Sequence, residues 1–145
     1  MNNRYTLTLI LNHSRTHVLM VIHHKQHMLN YVGGHIEKNE NEMDASYREL
    51  FEETGISRND VELNFIQSEH CTAPFANSEW YLYVTAGILK HDVELKEEKN
   101  SLHWISINDD DTLLHNTFGD GNCYVFLKRA LLRLWEMKGE CSCLY

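Results

Sequence analysis

Residues 33–56, GGHIEKNENEMDASYRELFEETGI, set seven acidic side chains against two basic ones, Lys38 and Arg48. Three of the glutamates, Glu49, Glu52 and Glu53, stand at i, i+3 and i+4. On a helix that spacing gathers the carboxylates on one face, about one turn apart. Like charges so close repel, and the helix gains nothing from holding them unless a cation lies between. Hard oxygen donors at this density suit Mg2+ or Mn2+ rather than zinc or copper. A solvated acidic helix face is the plain alternative, and the triad alone does not separate the two.

The pattern around the triad is helical. From about Glu42 to Thr54, Met43, Tyr47, Leu50, Phe51 and Thr54 recur at three- and four-residue steps and predict one apolar side. Gly55 is the natural residue to end the helix. Ahead of it, Gly33-Gly34 allow a tight loop that aims a carbonyl at a cation. Glu40 and Arg48 are placed to pair and to brace Glu49 against that loop.

Working outward, TLTLIL (6–11) alternates and predicts a half-buried strand. After turn chemistry at Asn12–Arg15, HVLMVI (17–22) reads as a strand buried on both faces, completing a hairpin. MLNYV (28–32) is a short third strand that runs into the paired glycines. Beyond the helix, VELNFIQSEH (61–70) and SEWYLYVTAGIL (78–89) are rich in β-branched and aromatic residues and predict two strands. Pro74 falls between them, where it costs no ladder bond. A charged loop (90–100), a strand LHWISI (102–107) and a turn or short helix at DDDTLL precede a final amphipathic helix (122–138). Its core residues are expected to be Val125, Leu127, Ala130, Leu131, Leu134 and Trp135. The whole predicts a mixed α/β sandwich, one domain over residues 1–145.

Composition narrows the function. The 145 residues are 43% apolar and 23% charged, as expected of a globular chain. The net charge of −8 argues against nucleic-acid polymers and anionic membranes as partners. It leaves small phosphorylated ligands open, because a bound cation inverts the local field. No stretch reaches the roughly eighteen apolar residues of a membrane span, and no signal peptide is legible, so a cytoplasmic location is expected. Cysteines 71, 123, 141 and 143 form no CxxC pair and read as reduced thiols. The ten histidines show no zinc-ligand spacing.

The run of Gly34, five residues, Glu40, seven residues, then Arg48-Glu49-Leu50-x-Glu52-Glu53-x-Gly55-Ile56 resembles the signature box of the Nudix hydrolase family. The order of elements along the chain is similar to that family as well. The resemblance implies the Nudix fold, a mixed β-sheet sandwiched between α-helices. It also implies hydrolysis of a nucleoside diphosphate linked to another moiety, with Mg2+ or Mn2+. By the same resemblance Glu49, Glu52, Glu53 and the Gly33 carbonyl become metal ligands, and Glu40 and Arg48 a bracing pair. Glu53 is the first candidate for the base that takes a proton from water, with Glu52 the other.

Members similar to MutT add a carboxylate shortly before a tryptophan-bearing strand. Here Glu97 and Glu98 precede Trp104, and Glu98 is favoured. Asn122 stands where such enzymes present a base-reading side chain, although GDGN before a helix is equally a cap. Phe75, Trp80, Tyr81 and Phe118 are candidates for stacking on a base, with one of Trp80 and Tyr81 expected to face the core. Val32 stands where the family usually has proline, which implies lost rigidity rather than lost chemistry. The proline of ADP-ribose-cleaving members is absent, its places being held by Cys71 and Thr72. The leaning is therefore to a nucleoside triphosphate pyrophosphohydrolase, acting on oxidised purine nucleotides such as 8-oxo-dGTP among others. Hydrolysis of ADP-ribose, a nucleotide-sugar or a dinucleotide stays open. So does a nucleotide-sensing domain without turnover, though such domains commonly lose box glutamates that this chain keeps. A homodimer is compatible with the sequence and not demanded by it.

Overall fold

The computed structural model describes residues 3–22, 29–72, 79–97, 100–114 and 123–142. Among the described residues seven strands and three helices follow one another: β1 (Arg4–Leu11), β2 (His17–Ile22), β3 (Leu29–Asn30), β4 (Val32–His35), α1 (Glu42–Thr54), β5 (Asn64–Thr72), β6 (Glu79–Ile88), β7 (Ser101–Ser106), α2 (Asp110–Leu114) and α3 (Cys123–Ser142).

The turn between β1 and β2 is built by one side chain. Asn12 Oδ1 accepts from the backbone N–H of Thr16 (2.8 Å) and of His17 (3.1 Å), doing what a longer loop would need water to do. β1 then becomes the centre of the sheet, whose path runs β3-β2-β1-β6-β5. It lies parallel to β6 along its whole length, from Arg4↔Tyr81 to Leu11↔Ile88. Its other edge forks. Residues Tyr5–Thr8 pair antiparallel with β4, and Leu11 pairs with Val18 of β2. β2 carries β7 and β3 beyond that fork.

Alternation along β1 sorts side chains to two faces. Leu7, Leu9 and Leu11 join Leu82, Val84 and Ala86 of β6 under Ala130, Leu131 and Leu134 of α3. Ile10 turns the other way, toward Leu50 of α1, Leu19, Val21, Val32 and Ile56. Helices thus cover both faces of a mixed sheet, as expected. Among the described residues no helix is long and apolar enough to cross a membrane.

Three expectations need correction. The strand expected at 28–32 breaks at Tyr31, which turns into the core and donates its hydroxyl to the Leu113 carbonyl. The paired glycines accordingly lie inside β4 rather than after it. β5 starts at Asn64, because Val61 and Leu63 bury their side chains ahead of the ladder. Phe51, expected in the core, is 53% exposed. Ala45, Ser46, Leu50 and Thr54 are the residues that α1 buries, and Phe51 falls at the margin of that stripe. The side chains of Val125 and Leu127, and the whole of Pro74, lie outside the described residues.

Candidate active site

α1 starts and stops where its chemistry dictates. Asn41 caps the first turn, its Oδ1 accepting from Asp44 N–H at 2.8 Å. Gly55 ends it in the left-handed conformation (φ 81°), its N–H donating to the Phe51 carbonyl. Between the caps the helix packs on β4, which brings the paired glycines to the acidic face.

The closest approach is at Gly34. A Cβ there would stand 2.4 Å from the Glu49 Cδ and 2.5–2.6 Å from its two oxygens, so a larger residue would displace the carboxylate from this seat. Glu49 therefore rests its head group against bare backbone. The Gly33 N–H in turn donates to the Glu53 carboxylate, tying the last ligand candidate to the same two residues.

Arg48 organises the other side. Its Nε and Nη2 grip both oxygens of Glu40 at 2.7 and 2.9 Å. Nη2 also donates to the His35 carbonyl (2.9 Å), and Nη1 reaches Glu49 Oε1 (3.0 Å) and Glu52 Oε2 (3.3 Å). Glu40 further accepts from the Glu37 N–H at 3.0 Å. One guanidinium thus fastens the loop after β4 to the helix by forked, charge-assisted bonds. The bracing pair expected from the sequence is present with good geometry.

The electrostatics follow from this arrangement. The Arg48 hydrogen bonds hold the Glu40 carboxyl below its usual range. Burial pushes Glu49 up, against the pull of Arg48. Burial, followed by the Glu49 charge, pushes Glu53 up to about 8. A carboxyl raised in this way sits where negative charge is poorly compensated, which is the condition that a bound cation relieves.

The residues fit a hard divalent ion by two observations. The donors are all oxygens, three carboxylates and one backbone carbonyl, and the bare Gly34 leaves the Glu49 head group its place in the cleft. Glu49, Glu52, Glu53 and the Gly33 carbonyl are the groups that would hold Mg2+ or Mn2+. Among the described residues, however, no three His, Cys, Asp or Glu side chains already converge at ligand spacing. Arg48 Nη1 lies between two of the candidates, 3.0 Å from Glu49 Oε1 and 3.3 Å from Glu52 Oε2.

The loop after β6 crosses the end of α1. Lys96 N–H donates to the Thr54 carbonyl at 3.0 Å, and the Lys96 stem lies against Gly55. Val93 and Leu95 anchor this loop on the core. Glu97, exposed, is the next residue along. The backbone of this loop thus passes the C-terminal end of the glutamate helix at Lys96, a placement that loop composition alone could not reveal. Glu98, Asn122, Phe75 and Phe118 lie outside the described residues. Trp80 is 6% exposed and faces the core, while Tyr81 takes the other face, donating to Glu42 Oε2 at 3.4 Å. An open hollow of about 420 Å3 beside α1, lined by Tyr47, Arg48, Phe51 and Arg58 among others, shares Arg48 with the clasp and contains none of the three box glutamates.

The forked sheet, the helix of glutamates and the arginine clasp define a hydrolase of the Nudix class. The family model described as NUDIX domain matches residues 1–120, and the chain belongs to that family. It is a Nudix hydrolase, from a family that acts on nucleoside diphosphate derivatives and generally uses divalent metals such as Mg2+. No curated relative matches the sequence. Solved structures with a similar fold include the Escherichia coli dihydroneopterin triphosphate pyrophosphohydrolase, at TM-score 0.73 and 14% identity, covering 92% of this chain and 96% of that one. The MutT protein of Bacillus halodurans gives 0.67 and 22%, covering 88% and 81%. The Nudix domain of Shewanella oneidensis NrtR, crystallised with ADP ribose, gives 0.70 and 13%, covering 92% and 89%.

Proposed function

We propose that the protein is a divalent-metal-dependent nucleoside triphosphate pyrophosphohydrolase, releasing a nucleoside monophosphate and pyrophosphate. The observation that carries this reading is the intact clasp: Arg48 on both oxygens of Glu40, with Glu49 seated on Gly34 beside Glu53. The fold is shared with an E. coli enzyme named for pyrophosphohydrolysis of a triphosphate, which is in keeping with this reading.

The chain's own groups divide the work. Glu49, Glu52, Glu53 and the Gly33 carbonyl would hold the cation, and Arg48 and Glu40 keep Glu49 from swinging away. The chemistry such an ion would supply there is neutralisation of charge growing on the phosphate oxygens and orientation of the attacking water. Glu53 takes the proton of that water, with Glu52 the nearest substitute. Glu97 or Glu98 adds a carboxylate from the loop that crosses the helix end. The expected single domain over 1–145 and a cytoplasmic location accompany this reading.

The test is a phosphate-release screen with Mg2+ and Mn2+ across nucleoside triphosphates, oxidised purine triphosphates, ADP-ribose, nucleotide-sugars and dinucleotides. Pyrophosphate plus a monophosphate is the expected product pair, lost by at least about 100-fold in Glu53→Gln. A monophosphate with a phosphorylated remainder, from ADP-ribose or a dinucleotide, would replace the substrate assignment. Tight nucleotide binding with no turnover on any of these would mean a sensing domain instead.

A further inference from the structure

Both glycines of β4 rest on one residue of β1. Thr6 is the register partner of Gly34 and lies on the face of β1 turned toward α1, 2% exposed. A Cβ at Gly33 would run into the Thr6 carbonyl oxygen, so the bare α-carbon is pressed against the Thr6 backbone. The Thr6 hydroxyl then accepts from the Gly34 N–H at 3.3 Å. Pairing of the strands needs no hydroxyl at this position, since valine would fill it as well. Thr8, the next residue on the same face, spends its hydroxyl elsewhere, pairing with Thr85 of β6 at 3.2 Å.

What the Thr6 hydroxyl holds is the amide between the two glycines. That amide is trans and planar, so its N–H and its C=O point in opposite directions. With the Gly34 N–H directed at β1, the Gly33 carbonyl is directed away from β1. The groups around this amide are those of the acidic cleft: the Gly33 N–H donates to Glu53, and the Glu49 carboxylate lies against Gly34. An amide between two glycines is the easiest in a strand to turn, because neither neighbour has a side chain to restrict its dihedral angles. Backbone pairing sets the register of β4, and the hydroxyl adds an acceptor aimed at this one N–H. A cation on the carbonyl oxygen would polarise the amide and strengthen its N–H as a donor, so coordination and hydrogen bond reinforce each other. At 3.3 Å the bond has room to shorten.

From this contact we propose that Thr6 is a positioning residue for the metal. Its hydroxyl fixes the plane of the Gly33–Gly34 amide, and so the direction of the Gly33 carbonyl oxygen that would join Glu49, Glu52 and Glu53 on the ion. The inference rests on the metal-dependent reading above, and it extends the site beyond the acidic stretch to a neutral residue of β1. Metal affinity then depends on a group that bears no charge and touches no ion. Thr6 reads in the sequence as one polar position of an alternating strand, and only the pairing with β4 shows what its hydroxyl meets.

The experiment compares wild type with Thr6→Val, which keeps the shape and removes the hydroxyl, Thr6→Ser, which restores it, and Thr8→Val. The last makes the same chemical change on the same face, at a hydroxyl that meets Thr85 instead. Binding of Mn2+ to the full chain without nucleotide is followed by the paramagnetic resonance of the free ion, and melting curves in chelator report folding. Thr6→Val is expected to weaken Mn2+ about tenfold, with Thr6→Ser within about threefold of wild type and Thr8→Val within about twofold. Turnover of GTP by Thr6→Val should recover at high Mn2+, since the loss lies in holding the ion. Wild-type Mn2+ affinity in Thr6→Val would overturn the proposal. Equal weakening in Thr8→Val, or no rescue by serine, would overturn it too, because the effect would then be a general loosening of the sheet. Thr6→Ala reads the same bond if the valine variant fails to fold. Hydroxyl-dependent Mn2+ binding without hydrolysis of any triphosphate leaves Thr6 its role and removes the proposed reaction. Metal-dependent hydrolysis with Mn2+ affinity indifferent to Thr6 does the reverse, and a wild-type chain that takes up no Mn2+ removes both.

Discussion

Replacing Arg48 with methionine keeps the apolar stem and removes the charge that joins the loop to α1. Four carboxylates, Glu37, Glu40, Glu49 and Glu52, lose a partner at once, and two of them are well shielded: the side chains of Glu40 and Glu49 are 17% and 15% exposed, against 25% for Arg48. Fully buried pairs broken from one side cost about 3–5 kcal/mol, and fully exposed ones about 0.2–1 kcal/mol. The clasp lies between these limits but makes two forked bonds to one carboxylate, so we expect a loss of about 2 kcal/mol. A double-mutant cycle of Arg48→Met with Glu40→Gln, by urea unfolding at about pH 7.5 with chelator present, should return a coupling of roughly 1.5 kcal/mol. The sign with pH is fixed by Glu40, whose carboxyl is lowered in the fold. Its contribution is fully present above the unfolded value near 4.5 and disappears as the pH falls through the lowered native value. The coupling should therefore fade in acid. A coupling below about 0.5 kcal/mol at neutral pH, or one undiminished in strong acid, would refute the view that this clasp holds the site together.

Glu53 has the opposite linkage. Its carboxyl is raised to about 8, so the metal-free protein should lose stability as the pH rises from about 4.5 to 8, and Glu53→Gln should flatten that slope while abolishing turnover. Melting curves in chelator across this range check it, and a wild-type profile that is flat there would contradict the burial of this group. Gly34→Ala puts a methyl group where the Glu49 carboxylate rests, 2.4 Å from its Cδ, so the carboxylate must swing aside; Mg2+ binding should weaken about tenfold, read by calorimetry, with unfolding stability changed by less than about 1 kcal/mol. Asn41→Ala removes the cap on α1 and should cost about 1 kcal/mol by urea unfolding, with Mg2+ affinity little changed.

Much of the architecture was legible because local chemistry and tertiary context agree along α1. Its limits, Glu42–Thr54, follow from the cap, the periodicity and Gly55. The Glu40–Arg48 pairing was legible for a similar reason, since eight residues of loop and helix leave few ways to place the two. Where several long-range contacts share a decision, the sequence says less. Nothing local announces that Tyr31 leaves its strand, because the cause is a carbonyl at Leu113 far along the chain. Phe51 satisfies the apolar spacing and still faces solvent, since periodicity locates a stripe but not its width. The approach of Lys96 to Thr54, and with it the placement of Glu97, depends on Val93 and Leu95 finding the core, which no spacing rule encodes.

Arg48 Nη1 lies on two of the carboxylates proposed to bind metal, Glu49 and Glu52. A built-in cation thus shares the acidic cleft before any ion arrives. A Mg2+ entering there would not meet bare negative charge; it would compete with the guanidinium for carboxylate oxygens. That exchange would lower the net gain of metal uptake, while the guanidinium offsets part of the mutual repulsion of the carboxylates in the metal-free fold. The polyphosphate of a substrate, arriving with oxygens of its own, would then tip the balance toward holding the ion.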